Sequence, residues 1–276
     1  MLKLLLAGLL LFLPLLSSGE TQSGFSCRNI SVEDGLRSNA VRNVVQDKWG
    51  FIWFGTDNGL SRFDGYEVKN YSCALLGSNQ YVSSLIAEPD RMLVGTEKGI
   101  FTFDYRTEQF APFLAQHVKI QPNSFAKDRD GNLWIATMGQ GVFRYRESTG
   151  RCKQFSFKAQ KGRIAQVFVD ADNQVWTITS WGRPSICKLN KAKDEFVPVP
   201  FKSETDDYGG LKMMQGKDGR LWIGTWNNGL LCVEDDGTLT QVLNPKLTGV
   251  GYHIHTVMEK SPDCILLGCD DGIVHY

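Results

Sequence analysis

Residues Gly50-Phe51-Ile52-Trp53-Phe54-Gly55-Thr56-Asp57-Asn58-Gly59-Leu60 carry the pattern that decides the fold. Its centre, Trp53-Phe54-Gly55-Thr56, returns as Leu93-Val94-Gly95-Thr96, Trp134-Ile135-Ala136-Thr137 and Trp176-Thr177-Ile178-Thr179. It returns again as Trp222-Ile223-Gly224-Thr225 and Leu266-Leu267-Gly268-Cys269. The anchors stand at 53, 93, 134, 176, 222 and 266, so successive spacings are 40, 41, 42, 46 and 44 residues. Self-similarity at such a period is the mark of a repeat architecture.

Each copy has the same internal grammar. A turn signal precedes the anchor, as in Asp47-Lys48-Trp49-Gly50, Asp128-Arg129-Asp130-Gly131 and Lys217-Asp218-Gly219. A short polar loop, a Gly, an apolar residue and an aromatic three places later follow it, as in Gly59-Leu60 to Phe63 and Gly141-Val142 to Tyr145. Alternation of apolar and smaller or polar groups is strand periodicity. Each unit therefore reads as four short strands, in the first copy Val41–Gln46, Phe51–Gly55, Leu60–Phe63 and Glu67–Tyr71. Gly59 ends a tight strand-to-strand loop, where positive φ favours Gly. Gly55 sits mid-strand, where Gly marks the close approach of another backbone. The neighbouring Trp is expected to fill the space between sheets.

A four-stranded repeat of this period is a propeller blade. The expected fold is all-β: a β-propeller of six four-stranded blade repeats, the last incomplete at Tyr276, forming part of a seven-bladed ring. The expected domain spans 25–276, with blades at about 40–71, 81–112, 122–155, 164–201, 210–243 and 252–276. Phe25–Ile30 reads as a lone outer strand that could close a six-bladed ring, the alternative to a partial ring belonging to a larger receptor.

The start of the chain is a separate matter. Lys3, the apolar run Leu4–Leu16 broken only by Pro14, and then Ser17-Ser18-Gly19 have the layout of a secretory signal peptide over about residues 1–19. The run is short for a membrane span, which takes about 20 apolar residues. Export permits disulfides. The chain has seven cysteines, an odd number, so at least one stays free or pairs between chains. No C-x-x-C pair occurs, and most cysteines sit in apolar strand patterns, where they read as small core hydrophobes. The formal net charge is zero, which gives no electrostatic reason to expect a nucleic acid partner.

The first blade is the most distinctive. Ile30-Ser31-Val32-Glu33-Asp34-Gly35-Leu36, Ser38-Asn39, Gln46-Asp47, Gly50 to Leu60 and Phe63-Asp64-Gly65-Tyr66 resemble the opening of hybrid two-component sensors that carry two-component-regulator propeller repeats. Blades three and five match well, and blades two and six replace Trp by Leu. Blade four departs, with Ile178 and Ser185 where Gly is expected. The resemblance implies a periplasmic propeller region, often of two seven-bladed units. A sandwich domain, a membrane helix, a histidine kinase and a DNA-binding regulator then follow. It further implies recognition of an oligosaccharide and control of glycan-utilisation genes through kinase domains that this chain does not contain. The expected partners are an oligosaccharide and the remainder of the receptor or a second copy, with no enzymatic activity and no cofactor in this segment.

In an up-and-down blade, the loop between strands two and three shares a face with the connection leading into strand one. Sugars are bound by aromatic faces and by amides, carboxylates and Arg. The candidates on that rim are Asp57, Asn58, Gln140, Trp181, Arg183, Tyr208, Trp226, Asn227, Tyr252 and His253. Trp181, Arg183, Trp226 and Asn227 lead, because loop aromatics outside the repeat core suggest function. Ordinary loop packing and a subunit contact remain open for the same residues. His253 and His255 share one side of a strand and read as packed or hydrogen-bonded rather than as metal ligands. The opposite face carries Asp-Gly turns, read as plain hairpin chemistry. Two other classes stay open: a protein-interaction propeller, which would show an exposed apolar patch, and a propeller hydrolase or lyase, which would need a perturbed acid–base cluster.

Overall fold

The computed structural model describes residues 28–72, 74–76, 80–114, 120–157, 163–179, 186–201, 209–249, 253–270 and 272–276. The chain divides into two units, Met1–Ile30 and Ser31–Tyr276. Of the first, only residues 28–30 are described, and they form no strand. The leader read over 1–19 and residues 25–27 of the lone-strand reading lie outside the described residues. All strands belong to the second unit.

Blade one contains β1 (Val41–Gln46), β2 (Ile52–Thr56), β3 (Gly59–Phe63) and β4 (Val68–Tyr71). Blade two contains β5 (Val82–Ala87), β6 (Arg91–Thr96), β7 (Gly99–Asp104) and β8 (Gln109–Pro112). Blade three contains β9 (Pro122–Lys127), β10 (Asn132–Thr137), β11 (Val142–Arg146) and β12 (Arg151–Phe155). Blade four contains β13 (Ile164–Val169), β14 (Val175–Thr179), β15 (Ile186–Asn190) and β16 (Glu195–Pro198). Blade five contains β17 (Gly210–Gln215), β18 (Leu221–Thr225), β19 (Leu230–Val233) and β20 (Leu239–Leu243). Blade six contains β21 (Ile254–Ser261), β22 (Cys264–Cys269) and β23 (Gly272–His275). Each is an antiparallel meander in chain order, and the first strand of each blade lies against the first strand of the next. This is the β-propeller expected from the repeat. Among the described residues, no helix is long and apolar enough to cross a membrane.

Second strands run one residue further than the sequence suggests, because Thr56 still pairs with Val41 and Gly59. The Thr is buried and its hydroxyl donates to the carbonyl of the Gly closing the loop: Thr56 to Gly59 at 3.0 Å, Thr137 to Gly141 at 2.7 Å, Thr225 to Gly229 at 2.8 Å. The repeated Thr thus locks the loops of one rim.

A register shift interrupts the pairing of every first strand near its start, as between Val41 and Asn43 or Val82 and Ser84. A bulge adds one residue on one side of the ladder. Residues three apart, rather than two, then face the preceding blade. In blade two these are Val82 and Leu85, and they enter the notch at Gly55: a Cβ on Gly55 would stand 2.7 Å from Val82 Cγ1. Gly95 receives Pro122 and Phe125 in the same way, and Gly224 receives Ile254. At Gly55 and Gly95 the close approach is thus by side chains of the next blade, where the sequence suggested backbone. The anchor indoles fill the remaining space. Trp53 and Trp134 are each 1 % exposed, and Trp53 packs at 5.3 Å on Phe103 of blade two. Burying a large apolar side chain stabilises by roughly 1.5–3 kcal/mol.

The irregular blade four follows the same rule with the sizes exchanged. Ile178 fills the notch position, and Gly210 stands where the next blade elsewhere supplies Val, Pro or Ile. A Cβ on Gly210 would lie 1.9 Å from Ile178 Cγ2. At the two ends of the series the faces are open. Val41 and Val44, equivalent to Val82 and Leu85, are 37 % and 55 % exposed, and Met258 and Ile273 of blade six are 55 % and 65 % exposed.

The turns between strands one and two do more than reverse the chain, which corrects their reading as plain hairpins. Asp47 Oδ1 accepts from the backbone N–H of Trp49 and Phe51, while Oδ2 accepts from Trp53 Nε1 at 2.7 Å. Asp128 and Asp170 do the same for Trp134 and Trp176, at 2.8 and 2.7 Å. In blade five the corresponding position is Gly216, and Trp222 Nε1 is buried with no hydrogen-bond partner. The cysteines divide. Cys187 and Cys232 are buried as expected, but Cys152 is exposed on an outer strand.

Two outcomes follow. Gly210→Ala should cost about 1–3 kcal/mol by overpacking, and adding Ile178→Ala should recover part of that loss. Urea unfolding of the four-member cycle should give a coupling of about 1 kcal/mol or more. Gly216→Asp should raise stability by about 1 kcal/mol, roughly 2–4 °C in thermal midpoint, by satisfying Trp222 Nε1. Asp-x-Asp turns at 128–130 and 170–172 show that the scaffold accepts the resulting pair with Asp218. An unchanged midpoint would count against the indole–carboxylate bond as a stabilising contact.

Candidate functional site

The Thr-locked rim carries the sequence-read candidates. Trp181, Arg183, Tyr208 and Tyr252 lie outside the described residues. Asp57, Asn58, Gln140, Trp226, Asn227 and His253 are described, and the side chains of Trp226 and His253 are brought together.

Trp226 follows the last residue of β18, with its backbone N–H bonded to Gly209 O at 2.7 Å. That bond ties the loop to the connection leading into β17. The indole stacks on the imidazole of His253, just before β21, with centroids 4.4 Å apart and planes 21° apart. It meets His255 edge-on at 6.1 Å. The side chains of His253 and His255 both reach Asp270, in the loop between β22 and β23. His255 Nε2 lies 2.5 Å from Asp270 Oδ1, and His253 Nδ1 contacts Oδ2. One carboxylate therefore clamps two imidazoles, one of which carries the tryptophan. The hydrogen bonds from His253, then His255, hold the Asp270 carboxyl below the usual carboxylate range. His255 and Asp270 were not among the candidates. The two-residue spacing of the histidines and the match of Asp270 to Asp57 in its blade were the signals that could have found them.

The other candidates are separate. Asp57 is held bidentately by Arg42, Nε at 2.6 Å and Nη2 at 2.8 Å, and that guanidinium lowers its pKa. The paired Arg42 also lies 6.0 Å from the Tyr81 ring, so blade one carries no bare carboxylate at this position. The Asn58 carbonyl accepts from Arg37 Nε at 2.5 Å. Gln140 is exposed, and its carbonyl accepts from Gln154. Asn227 is exposed at the loop tip beside Trp226. Among the described residues, no group of three or more His, Cys, Asp or Glu side chains is arranged to hold a metal ion.

Comparison with known proteins places these repeats. Residues 35–58, 118–139 and 211–227 match the two-component regulator propeller family. The chain is 24 % identical over 267 residues to Histidine kinase P4 of Formosa agariphila, covering 87 % of this chain and 19 % of that protein. The extracellular domain of the hybrid two-component system BT4673 of B. thetaiotaomicron superposes with a TM-score of 0.76 at 20 % identity, over 90 % of this chain and 33 % of that one. Virginiamycin B lyase of Staphylococcus aureus superposes with a TM-score of 0.65 at 13 % identity, over 86 % of this chain and 84 % of the lyase; at that identity the likeness is one of fold. The chain thus spans about a fifth of its kinase relative and a third of the solved sensor domain. It is a β-propeller, three stretches of which match the two-component regulator propeller family, and its fold is similar to that of the extracellular regions of hybrid two-component sensors.

Proposed function

We propose that this chain is the extracytoplasmic ligand-sensing propeller of a two-component receptor, and that its ligand is an oligosaccharide bound on the rim between blades five and six. Phosphorylation and control of glycan-utilisation genes would belong to receptor parts outside this chain. The observation that carries the reading is the Trp226–His253–Asp270–His255 cluster. Sugar recognition needs an apolar ring face set beside groups that pair with hydroxyls. Here the indole is fixed in orientation by its stack on His253, and His253 is fixed by Asp270. Asp270 accepts hydrogen bonds, the imidazoles donate or accept, and Asn227 adds an amide beside them. A preorganised aromatic costs little ordering entropy on binding.

A calorimetric screen of neutral oligosaccharides against the chain tests this. Trp226→Ala and Asp270→Asn should each weaken the best ligand about tenfold or more, near 1.4 kcal/mol. Unchanged affinity in both would sink the reading. The pH dependence has a definite sign. Because hydrogen bonding favours the ionised carboxylate of Asp270, its contribution to binding is complete above the ordinary value of 3.8 and is lost only as pH falls through a lower one. In a His253→Ala/His255→Ala variant the Asp270 carboxyl resonance should titrate higher, toward that ordinary value.

A further inference from the structure

The face opposite the rim holds a second concavity, away from the cluster above. A cleft of about 650 Å³ lies between blades three and four, at the end where the Asp turns and the outer-strand turns meet. That volume suits a small organic ligand and exceeds what a single inorganic ion fills. Val175, Leu189 and Trp134 are among its lining residues, and its walls carry five cations against three carboxylates.

The carboxylates are already engaged. Asp128 spends both oxygens on its turn, on Asn132 and on Trp134. Asp130 accepts from Asn173 Nδ2 at 3.2 Å. Asp194 receives Arg144 through both terminal nitrogens, at 2.9 and 3.1 Å, and Lys153 at 2.6 Å. The cations exceed the carboxylates by two, and three of them, Arg146, Arg151 and Lys191, stand outside the Asp194 ion pairs. Arg146 gives only its Nε, to the neutral Asn132 Oδ1 at 3.0 Å. Among the described residues, Arg151 and Lys191 make no ion pair with a carboxylate. Two guanidiniums and an ammonium around one cleft favour an oxyanion, because guanidinium forks match carboxylate and sulfate geometry.

We propose that this cleft binds a small organic anion by its carboxylate or sulfate group, through Arg146, Arg151 and Lys191. Titration calorimetry on the intact chain at low ionic strength, with glucuronate, glucose and inorganic sulfate as probes, tests it. Glucuronate should bind saturably and glucose should not. Arg146→Ala/Arg151→Ala and Lys191→Ala should each weaken glucuronate about tenfold. Added NaCl should weaken it further, while Trp226→Ala should leave it unchanged. All three substituted cations are exposed, so an unchanged thermal midpoint will verify folding in each variant. Three results would overturn the proposal: no saturable glucuronate binding, unaltered affinity in the folded cleft variants, or sulfate binding as tightly as glucuronate. A loss in Trp226→Ala alone would instead make the anion a ligand of the rim, and the cleft reading would fall with the rim reading intact.

Discussion

The contact on which the structure depends is the insertion of one blade's first strand into the notch of the blade before it. The bulge in the first strand makes the contact possible, since it turns residues three apart toward the same neighbour. The notch exists because the second strand offers Gly55, Gly95, Ala136 or Gly224, residues whose side chains leave room. Interiors close to crystalline density tolerate neither an extra methyl nor a missing one without strain or cavity. The two strands must therefore be matched in size, blade by blade. Only when they are can the indoles beside the notch be sealed from water.

The same unit fixes the two ends of the blade for different purposes. At one end, an aspartate ties a turn to the buried indole, so that turn, strand and core move as one. At the other, a buried threonine ties the loop to its closing glycine and leaves the loop residues between them to vary. Variation there costs little stability because the backbone is already satisfied. Trp226 stands on such a loop, Asp270 follows Cys269 on the corresponding loop of blade six, and His253 stands in the adjacent connection. Their mutual contacts are thus held by a scaffold whose hydrogen bonds do not depend on them.

The period, the strand order and the identity of the packing tryptophans were legible from the anchor positions alone, because a repeated core must repeat its residues. The compensation in blade four was not. Ile178 read as a departure, and Gly210 read as nothing, because a glycine opening a strand has no pattern until its opposite number is known. The role of Asp47 was likewise masked by its turn, since Asp is favoured there for local reasons. In the site, Trp226 and His253 were found as loop residues on one rim. Asp270 was missed because a carboxylate in a polar loop is unremarkable until two imidazoles converge on it. Asp57 reads as an available carboxylate in the sequence, because its partner Arg42 sits on a strand where sequence gives no hint of reach.

The exchanged sizes at Ile178 and Gly210 bear on how such an array can change over generations. Repeat proteins grow and shrink by duplication and loss of whole units, and most neighbouring blades here share one fitting, so many such events would leave a working seam. The fourth and fifth blades share a different fitting. A copy of blade four placed before any other blade would set Ile178 against a bulky residue, and a copy of blade five placed after any other would leave its notch empty. These two blades are therefore inherited as a couple, and a shuffled descendant must move both or repair both sides of the seam at once.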